Sequence, residues 1–185
     1  MTDFWMIRAG KNGIYVHDFL GSGIVAIECS NLGIITNNVS QDEIARRYIE
    51  ANHPATKIQA RNTVSQIDRF VHSISIGDFA LTYESKKRIY YLGTIESDIF
   101  WNPNLISNLP CIRYVKWTKE ISRDDINSKF ISSLGALLTV FKVKPETSGN
   151  ILNNARPIFS PTTKSASSGR NCNEKMPVLR RRDPR

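Results

Sequence analysis

Cysteine and histidine, the usual metal ligands and nucleophile–base pairs, are scarce here, with three of each in 185 residues. Cys29, Cys111 and Cys172 are odd in number and widely spaced, which argues against a disulfide framework and against a zinc site and suits a reducing cytoplasm. His17, His53 and His72 lack the spacing of a ligand pair and read as surface or helix-end residues. No window of 18 apolar residues occurs. The N-terminus MTDFWMIRAG has neither the basic flank nor the apolar core of a signal peptide, so no membrane partner is expected. A Walker loop, G-x-S-x-G, H-E-x-x-H and any internal repeat are also missing, and with them the common nucleotide, hydrolase and zinc chemistries. No cofactor is expected.

What is present is a soluble composition with 41% hydrophobic and 23% charged residues and a mean hydropathy of −0.30. The formal charge of +8 favours a polyanionic partner, but it is unevenly placed. Residues 1–144 hold 17 basic and 14 acidic side chains, net +3, whereas residues 145–185 hold 8 and 3, net +5. The latter stretch is rich in Ser, Thr, Asn, Pro and Gly and is expected to be a disordered basic tail ending in Arg180–Arg182, behind one domain over 1–144.

Within that domain, FWMIRAG and GIVAIEC read as strands, with a short helix over 14–20 between them. Ser40 and Glu43 form a capping box ahead of a helix that Pro54 ends, and Ala60, Val64, Ile67 and Val71 mark a second helix over 55–72. Runs over 75–84 and 88–98 read as a hairpin turning near Lys86, and Cys111, Arg113, Val115 and Trp117 alternate as a half-buried strand. A helix start at Ser122 and a short helix with a last strand through Val143 complete an α+β pattern, a small curled sheet or open barrel with flanking helices.

Two constellations bear on chemistry. Asp78, Glu84 and Lys86 form a D-x5-E-x-K string, superficially that of a compact magnesium-dependent nuclease. The alternative is a solvated hairpin turn, which explains Glu84 and Lys86 more simply. Trp5, Trp101, Trp117, Tyr83, Phe100 and Tyr114 fall near strand ends, where aromatic faces can hold an extruded base; core and rim packing is the competing explanation.

The blocks FWMIRAG, GIVAIEC, QIDRF, IGDFALTY, RIYYLGTI, VKW, SRDDI and SLGALLTVF, in that order from Phe4 to Val143, resemble the N-terminal domain of Mrr-like modification-dependent restriction endonucleases. That domain is similar to the EVE and YTH group of PUA-like folds, which bind modified bases in an aromatic-lined pocket. The resemblance implies a PUA-like curled sheet and a non-enzymatic module that senses modified DNA, in preference to RNA, for host defence. On residue type and this resemblance, the base pocket is assigned to Trp5, Cys29, Tyr83, Trp101 and Trp117, and phosphate contacts to Arg8, Arg113 and Lys116. Glu28 and Cys29 stand where the family usually has Gly and Trp, and Ile34 where it has Asp. No nuclease domain follows Val143, so a separately encoded nuclease is an expected partner. A truncated or degenerate subunit that acts through interaction is the alternative.

Overall fold

A computed structural model describes residues 2–158, other than 55 and 107. The fold is α+β, with a strongly curled half-barrel sheet. Six strands, β1 (Phe4–Ile7), β2 (Ile24–Ile27), β3 (Phe79–Glu84), β4 (Ile89–Ile95), β6 (Cys111–Ser122) and β7 (Val140–Lys142), run in the order β2-β6-β4-β3-β1-β7. The two-residue strands β5 (Phe100–Trp101) and β8 (Arg156–Pro157) both pair with β6. β1 and β3 are parallel and the other pairs antiparallel. The long-range crossover joining the parallel pair contains α1 (Val16–Ser22), α2 (Gln41–Asn52) and α3 (Lys57–Asp68).

Local chemistry explains the helix starts. The Ser40 hydroxyl accepts from the Glu43 amide and the Thr56 hydroxyl from the Gln59 amide, each satisfying a donor the helix leaves unpaired. Only half of the expected capping box forms. The Glu43 carboxylate turns instead to Arg46 and Arg47, whose hydrogen bonds lower its pKa to about 2. α3 ends at Asp68 and runs into a wide π-turn over Arg69–Ser73.

Every residue of β1 is buried because both faces of the sheet are covered. Trp5 and Ile7 face the larger core, packed with Phe19, Ile44, Val64 and Phe70 from α1–α3 and the π-turn. Phe4 and Met6 face a smaller core with Leu81, Leu92 and Ile121. α4 (Ser128–Leu134) and α5 (Pro145–Asn154) cover that second face through Leu134 and Ile151. α5 corrects the expectation that disorder begins at 145: its few apolar residues suffice because Ile151, fully buried, falls where the sheet needs a lid. The remaining tail, with Cys172 and Arg180–Arg182, lies outside the described residues.

The curl is set partly by a register shift between β4 and β6 at Leu92/Gly93. A Cβ on Gly93 would stand 2.5 Å from Val115 Cγ1 and 2.8 Å from the Lys116 carbonyl oxygen. Because backbone is among the atoms met, Gly93→Ala is expected to destabilise the fold by about 2 kcal/mol. Urea unfolding checks this, and a variant within about 0.5 kcal/mol of the parent would show that the sheet does not need the close approach.

Candidate ligand-binding site

The two ends of the strand path, β2 and β7, leave a seam in the half-barrel, and a cavity of about 290 Å³ lies across it. One wall is the end of β2 and the short 3₁₀ turn after it, Ile27 to Leu32. Tyr48 and Asn52 of α2, Thr63, Gln66 and Ile67 of α3, and Thr139 and Val140 at the start of β7 complete the lining.

Each wall is fixed in place. Arg47 donates to the carbonyls of Leu32 and Ile34 and to Glu43, tying the turn to α2. The Gln66 carboxamide oxygen accepts from the Thr139 and Val140 amides, pinning β7 to α3. Cys29 is joined to Cys111 by a disulfide, with the Cα atoms 6.3 Å apart across 82 residues of sequence, so the turn is also anchored to β6. That bond corrects the expectation from cysteine number and spacing. The fold brings together two residues that sequence distance separates, and Cys172 is the odd one left over.

A wider cavity of about 670 Å³ adjoins the first and shares Ile27, Glu28 and Thr139 with it. Arg8, Lys11, Ile14, Tyr15 and Leu137 line it, with Ile14 largely and Leu137 fully exposed. Glu28 thus stands at the junction of the two, exposed, with no hydrogen bond or ion pair to any of the described residues.

Of the five residues assigned to a base pocket, only Cys29 lines the seam cavity. The Trp5 indole is buried and donates to Asp78 Oδ2 at 3.0 Å, and the Trp117 indole donates to the Phe19 carbonyl at 3.0 Å. Trp101 sits on β5 opposite Cys111, and Tyr83 packs on Tyr90 beside the second core, with ring centroids 4.3 Å apart. The three tryptophans therefore do not converge on one cavity. Tyr48 is the aromatic residue that does line the seam; its place on the apolar face of α2 was the signal available in the sequence.

The phosphate assignments divide similarly. Arg113 is 1% exposed and donates to the carbonyls of Phe70, Val71 and Ser97. Arg8 lines the wider cavity but commits Nε and Nη2 to the carbonyls of Leu134, Ala136 and Leu138. Lys116 is exposed on β6, away from both cavities.

Asp78 and Glu84 flank β3 at opposite ends, roughly 20 Å apart by strand rise, too far to share a metal ion. The Asp78 carboxylate accepts from the Asp3 and Ser75 amides as well as from Trp5. Glu84 accepts from the Tyr91 hydroxyl at 2.9 Å and pairs with Lys87 at 3.2 Å. Burial first, and the Glu84 hydrogen bond second, raise the Tyr91 pKa above the usual phenol range. Among the described residues no three His, Cys, Asp or Glu side chains are grouped to hold a metal, and no helix is long and apolar enough to cross a membrane.

A family model described as a domain of unknown function (DUF8426) matches residues 5–144. No curated protein and no solved structure matches the chain.

Proposed function

We propose that the chain, which belongs to the DUF8426 family, is a DNA-binding module that holds a single base, a modified one, in the seam cavity. The observation that carries the reading is the cavity itself. Its volume of about 290 Å³ lies at the lower end of small-molecule pockets, suiting one base-sized ring system rather than a longer ligand. Tyr48 offers a stacking face, and Asn31, Asn52 and Thr63 offer donors and acceptors to the edge of a base. The adjoining cavity brings Lys11 and the exposed Ile14 and Leu137 to where the rest of a strand would pass. The resemblance of the ordered sequence blocks to the specificity domain of modification-dependent restriction endonucleases supports the same reading, and on that resemblance cleavage would belong to a separately encoded nuclease.

The test is a titration of the full chain with methylated and unmodified DNA at several salt concentrations, repeated with Tyr48→Ala. Loss of one stacking face is expected to weaken binding roughly tenfold or more, with a salt slope that does not change. Equal affinity for both DNAs, unaffected by Tyr48→Ala, would leave only non-specific attraction to basic residues.

A further inference from the structure

We infer that Glu28 makes the seam cavity selective for bases that carry an exocyclic amino group, against thymine and uracil. The inference rests on the base-binding reading above and concerns the chemistry of the ligand.

Glu28 is the one formally charged side chain in the lining of the narrow cavity, and it also borders the wider one. The guanidinium groups nearby are committed elsewhere: Arg47 to Glu43 and the turn carbonyls, and Arg8 to the carbonyls after α4. Glu28 is thus left at the border of both cavities with no partner for its carboxylate among the described residues. Its backbone is held on one side by β2, which ends at Ile27, and on the other by the disulfide at Cys29. The carboxylate is therefore confined to the mouth that the two cavities share, where its own torsions can bring it onto a ligand.

A carboxylate accepts hydrogen bonds and donates none. Adenine N6, cytosine N4 and guanine N2 each present amino hydrogens to it. Thymine and uracil present two carbonyl oxygens around a single N–H, and an oxygen set against the carboxylate leaves both acceptors unpaired and repelling. The same charge disfavours phosphate in the narrow cavity, whose lining holds no cation to offset it, whereas Lys11 in the wider one can pair with the backbone. Methylation on the base ring leaves the amino group intact and so remains compatible with this contact.

The experiment measures binding of the full chain to short oligo-dC, oligo-dA and oligo-dT, the dC and dA strands also in base-methylated form, by fluorescence anisotropy, for the parent, Glu28→Gln and Tyr48→Ala. Glu28 is exposed, so the Gln variant is expected to fold, and a thermal melt confirms it. The parent should favour oligo-dC and oligo-dA over oligo-dT by about tenfold, the worth of one good base-edge contact. Glu28→Gln, whose carboxamide can donate to a carbonyl as well as accept, should bring oligo-dT to near parity. A preference that survives in Glu28→Gln while Tyr48→Ala weakens all three ligands overturns the role of Glu28 and leaves base binding standing. Binding of all three that is indifferent to both substitutions, or no binding at all, overturns the base-binding reading itself.

Discussion

Reducing the Cys29–Cys111 bond should lower the melting temperature by roughly 10–15 °C, and the double substitution Cys29→Ala/Cys111→Ala should melt close to the reduced protein. The magnitude comes from the chain that the bond closes. A cross-link across 82 residues removes loop entropy from the unfolded ensemble worth about 4 kcal/mol on the chain-entropy model, a large share of the stability of a domain this size. Both cysteines lie in the larger core, Cys29 at 3% exposure and Cys111 at 0%, so a reductant has to wait for local opening and the reduced form should appear slowly. The check is a pair of thermal melts with and without reductant after long incubation. Identical curves for the parent, with free thiols counted before unfolding, would mean that the bond does not form in solution. The bond fastens the turn that makes one wall of the seam, so the reduced protein should also lose affinity for any ligand of that cavity more than its folded fraction alone explains.

What the sequence makes legible is what is decided locally. Ser40 caps α2 because its hydroxyl needs only an amide three residues on, and the hairpin of β3 and β4 turns where a short polar run separates two strand-like ones. Of the alternating Cys111, Arg113, Val115 and Trp117, the first three are buried and Trp117 is half-buried, while Ile112 on the other face is buried as well and only Tyr114 and Lys116 are exposed. The parallel pairing of β1 with β3 is set by contacts some 75 residues apart, and α5 forms because a sheet face, not its own composition, calls for cover. The site was harder to read for a related reason. Tryptophan is conspicuous in a sequence, yet Trp5 finds a partner in Asp78 and stays in the core, and Trp117 packs half-buried against that core with the Phe19 carbonyl as its partner. The cavity is instead assembled from unremarkable residues, Asn31, Asn52, Thr63 and Gln66 among them, contributed by separate segments. Nothing local to any one of them announces a ligand.

Arg113→Ala is expected to destabilise the fold by about 4 kcal/mol, although arginine at such a position reads from the sequence as a contact for phosphate. The π-turn over Arg69–Ser73 leaves the Phe70 and Val71 carbonyls turned inward, and Arg113 Nε and Nη2 donate to them at 3.0 and 2.9 Å while Nη1 reaches the Ser97 carbonyl at 3.1 Å. The guanidinium carbon also lies 5.7 Å from the centroid of the Phe70 ring. Burial lowers its pKa to about 10, against the opposing pull of Asp98 and Asp78, so it remains charged at neutral pH. Because the folded pKa lies below the unfolded value, the unfolded chain binds the proton more tightly, and the cost of this desolvated charge is relieved only as pH rises through about 10 and beyond. Truncation removes that cost but strands three carbonyls, and the second effect is the larger. Arg113→Leu should therefore be nearly as damaging as Ala, whereas Arg113→Lys, with one ammonium in place of a fork, should recover about half of the loss. Urea unfolding at unchanged m value measures the series, and a Leu variant within about 1 kcal/mol of the parent would sink the account. The folded Lys variant then separates scaffold from contact. A phosphate-binding Arg113 would lower the salt slope of DNA binding when altered, while one buried behind β6 as a clamp on the π-turn should leave that slope where it was.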